Sequence, residues 1–258
     1  MRISIAILLS IFFTVFSAIS FSINAQQSFV NVVKTLKPSV VGVGIYDPLA
    51  SPRSRVSGTG FVVGNGQYIA TNFHVTPKLP SDSPNVSWVV FTGEGKNAKV
   101  HKVEVVAKSE KYDLAILKLK GDTKLKPAKL ANGEWVEDAT SIAFTGFPIG
   151  SVLGLYPVTH QGIISARTPA VIPAENSQQL SLARLKLLRD PYFTYQLDAT
   201  AYPGNSGSPV YLRSTGEIIA IVNKVFVKKT KEEVLSDPSD ITYAIPVKHL
   251  HTLLDTLN

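Results

Sequence analysis

Short apolar runs separated by turn-forming residues recur along most of the chain. In the first half these runs are Val40 to Ile45, Gly60 to Val63, Tyr68 to Ala70, Val86 to Phe91, Val103 to Ala107 and Leu114 to Leu119. Runs of this length that are rich in Val and Ile and bounded by Gly, Pro or Asn are typical of β-strands. Six such strands are enough to close a small barrel.

The same pattern returns after a polar link, Gly121 to Gly133. The runs of the second half are Thr140 to Phe144, Leu155 to Val158, Gly162 to Ser165, Tyr195 to Leu197, Pro209 to Leu212, Ile218 to Asn223 and Thr242 to Ile245. We therefore predict an all-β protein made of two barrels. The first is expected within residues 26–125, and the second, with a closing helix, within residues 134–258.

Two amphipathic segments flank the strands. Ser28 is expected to cap a short N-terminal helix that Pro38 ends. The apolar face of this helix would carry Phe29, Val32, Val33 and Leu36. A C-terminal helix is predicted from Val247, Leu250, Leu253, Leu254 and Leu257, which share one face at helical spacing.

The chain opens with the pattern of a signal peptide. Arg2 precedes an apolar run from Ile3 to Ile23, and Ala25 offers a cleavage site. We predict a signal peptide over residues 1–25 and export of residues 26–258, to the periplasm or the medium. A run of about 20 residues also suffices to cross a bilayer, so an uncleaved membrane anchor stays open.

Composition narrows the choice of partners. The chain has a formal net charge of +7 and no cysteine, which excludes disulfides and cysteine-ligated metals. Its lysines are scattered, apart from Lys228, Lys229 and Lys231, so they favour a solvated surface over a nucleic-acid site. We therefore expect no nucleic acid, no metal and no cofactor.

One segment departs from the strand rhythm. Thr168 to Pro191 carries a leucine-rich centre, Leu180 to Arg189, between two β-type runs. A long insertion near a site can act as a lid or as a partner-binding loop, or it can be a passive surface excursion. Both interpretations stay open.

Candidate chemistry centres on Ser206, which lies in the turn Tyr202 to Val210 between glycines. A serine hydroxyl is a poor nucleophile at neutral pH, and it needs a base and donors for the oxyanion that forms on attack. The N–H groups of Gly204 and Ser206 could supply those donors. The alternative is an ordinary turn, since Gly, Asn, Ser and Pro dominate turns in β proteins.

A base and its orienter occur upstream. His74 follows the run Tyr68 to Ala70, and Asp113 directly precedes the apolar run Leu114 to Leu119. A carboxylate beside an imidazole fixes its tautomer and stabilises the imidazolium formed during proton transfer. The other four histidines, His101, His160, His249 and His251, lie in ordinary surface or amphipathic contexts. Together His74, Asp113 and Ser206 predict a site across the two barrels.

These residues resemble those of trypsin-like serine peptidases of the chymotrypsin fold, and most closely the bacterial HtrA/Deg branch. The stretches that carry the resemblance are Phe29 to Val43, Gly58 to Val63, Thr71 to Val75, Tyr112 to Leu117, Gly146 to Gly150, Val158 to Ala166 and Gln196 to Val210. The resemblance implies two six-stranded antiparallel β-barrels with short terminal helices. It also implies that His74 is the general base, Asp113 its orienter and Ser206 the nucleophile, with the oxyanion held by the N–H groups of Gly204 and Ser206.

The departures from that branch bear on specificity. Ser208 replaces the usual glycine and is similar to bacterial glutamyl endopeptidases, but Ala201 and Val222 are apolar where those enzymes have Thr and His. No acidic residue stands at Thr200, where a pocket that selects Lys or Arg would need one. With Asn223 as a further wall, the resemblance implies cleavage after small or medium aliphatic residues.

Two further expectations follow from the resemblance. Members of the branch commonly continue into a PDZ domain, and none is expected after the helix that ends this chain. Trimers occur in the branch, so a homo-oligomer stays open. The leading hypothesis is a serine endopeptidase that acts on unfolded or extended proteins; the alternative is a non-catalytic or gated protein-binding, chaperone-like module on the same fold.

Overall fold

The computed structural model describes residues 28–76, 79, 85–148, 154–170, 191–225 and 241–257. An N-terminal helix, α1, covers residues 28–36 and continues into a 3-10 turn, Lys37–Ser39. Ser28 is itself helical, so it lies inside α1 and the prediction of Ser28 as its cap is wrong. Pro38 lies in the 3-10 turn, which agrees with the expected end of the helix because proline cannot continue the α-helical ladder.

Six strands form the first barrel. They are β1 (Val40–Tyr46), β2 (Ser54–Val63), β3 (Tyr68–Thr71), β4 (Ser87–Thr92), β5 (Lys99–Ser109) and β6 (Leu114–Leu119). Every pairing is antiparallel, and the order β1-β2-β3-β6-β5-β4 closes through the pairing of β1 with β4. Four of the six residues of β6, Leu114 to Leu117, are fully buried, because the strand also packs against the C-terminal helix.

Six more strands form the second barrel. They are β7 (Ser141–Gly146), β8 (Val158–Pro169), β9 (Phe193–Asp198), β10 (Pro209–Leu212), β11 (Ile218–Val225) and β12 (Ile241–Pro246). The order β10-β11-β12-β9-β8-β7 closes through the pairing of β10 with β7. Counted within each barrel, the same strands are neighbours in both, so the two halves share one topology. The predicted fold class, two six-stranded antiparallel barrels, is confirmed.

One predicted strand is wrong. Of the run Leu155 to Val158, only Val158 belongs to a strand, and residues 154–157 lead into β8. Leu155 instead approaches the first barrel, where its carbonyl oxygen accepts a hydrogen bond of 2.9 Å from Gly95 N–H. The predicted run Gly162 to Ser165 lies inside β8. The leucine-rich centre of the insertion lies outside the described residues.

A shared core joins the barrels. Each barrel has its own apolar interior, and a third cluster lies between them. This third cluster combines Phe61, Leu114 and Ile116 of the first barrel with Tyr211, Ile218, Ile221, Leu250 and Leu253 of the second half.

Helices and short turns complete the architecture. The C-terminal helix α2 (Val247–Leu254) contributes its buried face to the shared core, and a 3-10 turn, Asp255–Leu257, follows it. Other 3-10 turns are Phe73–Val75 and Gly95–Asn97. Within the described residues, no helix is long and apolar enough to span a membrane.

Candidate active site

His74 and Asp113 are joined by two hydrogen bonds. His74 lies in the 3-10 turn directly after β3, and its Nδ1 is 2.6 Å from Asp113 Oδ2. The backbone N–H of His74 also donates to Asp113 Oδ1, at 2.9 Å. A carboxylate accepts only, so Nδ1 carries the proton and Nε2 is left as the basic nitrogen. The side chains are 31% and 18% exposed, so the pair sits at the edge of the solvent.

Asp113 holds an unusual backbone conformation. Its φ is +50°, in the left-handed region, where a non-glycine residue costs about 1–3 kcal/mol. Its carbonyl oxygen accepts hydrogen bonds from Phe73 N–H at 3.1 Å and from Asn72 Nδ2 at 3.0 Å. Together with the two bonds to His74, these contacts offset the local strain and aim the carboxylate at the imidazole.

Ser206 lies in a glycine turn that the first barrel holds in place. Thr59 of β2 donates its N–H to Ser206 O at 2.9 Å and its Oγ1 hydroxyl to Gly204 O at 2.8 Å. Gly207 has a φ of +87°, and a Cβ at this position would collide with Thr59 O. Only glycine fits there, because the backbone of the other barrel occupies the space of a side chain.

The turn that carries Ser206, called the nucleophile turn after its expected role, lies against the 3-10 turn Phe73–Val75 that carries His74, called the histidine turn. The carbonyl oxygen of Ser206 and the side chain of Val75, the residue after His74, both come within 3.0 Å of the point where a Cβ on Gly58 would stand. The structure therefore brings all three predicted residues to the seam between the barrels, with His74 and Asp113 from the first and Ser206 from the second.

The hydroxyl of Ser206 points towards β11. Its Oγ donates to Asn223 O at 2.9 Å. A hydroxyl has one proton, and a carbonyl oxygen can only accept, so this proton is not directed at His74 Nε2. Among the backbone hydrogen bonds between described residues, none uses the N–H of Gly204 or of Ser206.

The four predicted pocket residues differ in burial. Ala201 and Val222 are fully buried and belong to the apolar interior of the second barrel. Thr200 and Asn223 are half-buried. Asn223 Oδ1 is buried without a hydrogen-bond partner in the described part of the chain. Between residues 28 and 257, as far as they are described, no three His, Asp or Glu side chains gather as a metal site.

A histidine that no local pattern singles out lies beneath the nucleophile turn. His160 of β8 stacks on Phe144 with ring centroids 4.8 Å apart, and Tyr202 lies 5.9 Å away. Its Nε2 is 3.5 Å from Nδ2 of Asn205, the fully buried neighbour of Ser206. Burial lowers the pKa of His160. The pairing of His160 with Phe144 depends on strand register, which becomes visible only once β7 and β8 are paired.

Two antiparallel barrels with a His–Asp pair on one and a glycine-flanked serine on the other define the class of two-barrel serine endopeptidases. Residues 58–221 match the family model described as "Trypsin-like peptidase domain". The chain belongs to this family.

Its relatives confirm the resemblance to the HtrA branch. A "Probable periplasmic serine endoprotease DegP-like" of Halomonas elongata is 30% identical over 208 residues, which cover 80% of this chain and 36% of the relative. "Magnetosome formation protease MamE" of Paramagnetospirillum magneticum is 28% identical over 226 residues, covering 79% of this chain and 28% of the relative. The chain thus spans about a third of the length of these curated relatives.

Solved structures share the fold. An "HtrA-type protease" AlgW with a tripeptide superposes with a TM-score of 0.62 at 23% identity, over 89% of this chain and 63% of the other. Deg5 superposes with a TM-score of 0.60 at 24% identity, over 88% of this chain and 92% of Deg5. At these identities the likeness concerns the fold alone.

Proposed function

We propose that the protein is an exported serine endopeptidase whose triad is His74, Asp113 and Ser206. The observation that carries the proposal is the double hydrogen bond between His74 and Asp113, which leaves Nε2 as the basic nitrogen of the imidazole. This arrangement has the geometry of a base held by its orienter.

In this mechanism Ser206 Oγ bonds to the carbonyl carbon of the scissile peptide while its proton moves to His74 Nε2. The N–H groups of Gly204 and Ser206 bind the oxyanion. His74 then gives the proton to the leaving nitrogen as the C–N bond breaks, which leaves an acyl-enzyme. Water, activated by His74, attacks the acyl carbon and releases the acid and the free serine. Asp113 stays ionised and stabilises the imidazolium.

An extended substrate would pair with the end of β11. The ladder between β10 and β11 ends where Val222 N–H donates to Ser208 O and Gly207 N–H donates to Val222 O, each at 2.9 Å. Asn223 O, the next acceptor along β11, is engaged by the Ser206 hydroxyl. A substrate strand added here would bring its own N–H to Asn223 O, since main-chain pairing is how extended peptides add to a sheet.

The hydrogen bond from Ser206 to Asn223 favours a gated form of this function. In the resting state the hydroxyl is held away from the base, and the substrate N–H that replaces it at Asn223 O frees the nucleophile. Unfolded or extended segments can make this replacement because their backbone N–H groups are free, whereas most backbone N–H groups of a folded protein are already paired. We propose small or medium aliphatic side chains before the cleaved bond, because Thr200, the half-buried residue expected at the pocket base, carries no charge.

Two phosphonate probes test this proposal. We expect a small fluorophosphonate to label the protein slowly and a peptidyl phosphonate with valine at the reacting position to label it much faster, because the peptide competes for Asn223 O. Ser206→Ala should label with neither. If a well-folded native protein reacts with neither probe, the non-catalytic binding module is correct. Equal labelling rates for the two probes would contradict the gated form but would still support a serine endopeptidase.

Export rests on residues 1–25 and on relatives whose names describe periplasmic enzymes. N-terminal sequencing of the protein from the producing cell's soluble periplasmic and culture fractions is expected to begin at Gln26. Recovery of the full chain only from membranes would instead support the uncleaved anchor.

A further inference from the structure

Three aromatic rings meet behind Asp113. The ring of His249 in α2 stacks on the ring of Tyr112, with centroids 3.9 Å apart and an interplanar angle of 17°. Tyr192, just before β9, meets both rings edge-on, at 5.0 Å from Tyr112 and 5.5 Å from His249. We call these three residues the aromatic clamp. It joins three separate parts of the fold at the seam between the barrels.

Two members of the aromatic clamp, His249 and Tyr192, pack against the third, Tyr112, which directly precedes Asp113. Asp113 has a φ of +50°, and its carbonyl and carboxylate bond to Asn72, Phe73 and His74. The backbone bonds of the segment that enters Asp113 are longer, with Tyr112 N at 3.4 Å from Ser109 Oγ and Asp113 N at 3.4 Å from Glu110 O. The stacking of His249 on Tyr112 is thus a further contact that fixes the chain as it enters Asp113.

The pKa values of Tyr192 and His249 are consistent with their burial close to Asp113 and Tyr112. Burial, then the Asp113 carboxylate and Tyr112, raise the pKa of Tyr192 to about 12, so its phenol stays neutral beside the carboxylate. Burial, then Lys248 and Lys111, lower the pKa of His249 to about 4, so at neutral pH the stacked ring carries no charge. His249 Nε2 is buried without a hydrogen-bond partner among the described residues, which indicates that the ring acts through stacking.

We propose that His249 and Tyr192 are positioning residues, which clamp Tyr112 and thereby hold Asp113 in the conformation that orients His74. The inference rests on the proposed function and gives the C-terminal helix, which follows the second barrel, a part in orienting His74 and Asp113 of the first. Aromatic pairs stabilise beyond the area that they bury, and this stabilisation can offset the backbone strain that Asp113 carries.

A pair of substitutions at position 249 tests whether a ring stacked on Tyr112 is what positions Asp113. His249→Phe keeps a flat ring on Tyr112, whereas His249→Ala removes it. We expect His249→Ala to lower kcat per titrated active site by about tenfold to a hundredfold, as small misplacements of catalytic groups do. KM should change little, because substrate contacts are distant. His249→Phe should restore kcat to within about threefold of the wild type, on the same reasoning about placement. Tyr112→Phe and Tyr112→Ala provide a second pair, should His249→Ala fail to fold.

The pH profile distinguishes positioning from simple stability. A loosened Asp113 supports the His74 imidazolium less, so the pKa that governs kcat/KM should fall in His249→Ala and return in His249→Phe. If His249→Ala merely loses thermal stability, with kcat per active site and the pH midpoint unchanged, the proposal is wrong.

A measurement that needs no activity separates this inference from the proposed function. In Ser206→Ala protein, the short His74 Nδ1–H···Asp113 bond should give a proton resonance far downfield of the backbone amides. We expect that resonance to broaden or vanish when His249→Ala is added and to persist with His249→Phe. Its persistence in both would overturn the clamp. A failure of the native protein to react with the phosphonate probes would instead overturn the proteolytic function.

Discussion

Asp113 does two things at once for His74. It orients the ring through Oδ2 and holds the backbone of the histidine turn through Oδ1, at 2.6 and 2.9 Å. Because one carboxylate fixes both the ring and the turn, any residue in its place must accept two hydrogen bonds. At a φ of +50°, a bulkier or β-branched residue would also be disfavoured at this position.

Asp113→Asn therefore tests the triad at the scale of one residue. An amide can present an acceptor to only one of the two donors, and an NH2 group facing Nδ1 forces the other tautomer. We expect kcat to fall by about 10⁴-fold, as in serine triads of this geometry. Hydrolysis of a peptide substrate by protein of known folded fraction measures this. Activity above about a tenth of the wild-type value would argue against Asp113 as orienter.

The nucleophile turn lies so close to the first barrel that position 207 has no room for a side chain. Gly207→Ala would add a Cβ that collides with Thr59 O and lies 2.6 Å from Thr71 Oγ1, at a φ of +87°. We expect the free energy of unfolding to fall by about 3 kcal/mol or more, the sum of overpacking and left-handed strain. Urea unfolding measures the loss.

Gly121→Ala is the matched control for this turn. Gly121 has a φ of +82°, but a Cβ there would meet nothing within 4 Å. Its substitution should cost only the backbone strain, about 1–2 kcal/mol. Equal losses for the two variants would show that the approach of Thr59 to the turn does not restrict position 207.

Acid should loosen the elements that carry His160 and His249. Burial lowers the pKa of His160, and burial, Lys248 and Lys111 lower that of His249 to about 4. Unfolded histidine titrates near about pH 6.5, so below that pH the unfolded chain binds more protons than the folded one. The free energy of unfolding should therefore fall as the pH drops from about 6.5 to about 4.

Urea unfolding at about pH 6.5 and at about pH 4 measures this loss of stability. The variant His249→Phe isolates the part of the loss that comes from His249. Phenylalanine does not titrate, so this variant should lose less stability on acidification than the wild type. An identical loss in the two proteins would mean that His249 is protonated equally well in the folded and unfolded states.

Local patterns predict the elements of this chain better than their contacts. The runs around Val40 to Leu119 yield all six strands of the first barrel because alternation and turn residues are local signals. The run Leu155 to Val158 gives a wrong strand prediction because Leu155 packs on the first barrel. In the sequence, an apolar residue of this kind looks the same as a strand residue that packs inside its own barrel. His74, Asp113 and Ser206 can be predicted as site residues from the sequence because each stands at the end of a strand-like run. The stacking of His249 on Tyr112 depends instead on how α2 docks across the seam, which periodicity does not encode.

At the scale of the whole molecule, the two barrels share one topology but divide the chemistry. The first supplies the proposed base and its orienter, and the second supplies the proposed nucleophile and pocket. Substitutions in the first half are therefore expected to change catalysis alone, whereas substitutions in the second half can change both catalysis and specificity.

A peptide library cleaved by the native protein tests this division. We expect Ala, Val and similar side chains before the cleaved bond, and a profile dominated by Glu, Lys or Arg would contradict the proposed pocket. Thr200→Asp should add Lys and Arg to the profile, because a half-buried carboxylate at the pocket base attracts a cation. Its melting temperature serves as the control for folding.

Thr59 makes the proposed activity depend on the contact between the two halves. Fully buried in the first barrel, it bonds to the carbonyls of Gly204 and Ser206 and accepts from Phe147 N–H at 2.9 Å, so one residue fastens the nucleophile turn to the opposite half. Any separation of the halves would break these hydrogen bonds even if each barrel stayed folded. In the proposed mechanism, such a copy would lose the placement of its nucleophile, and with it the ability to cleave, before either barrel lost its own apolar interior.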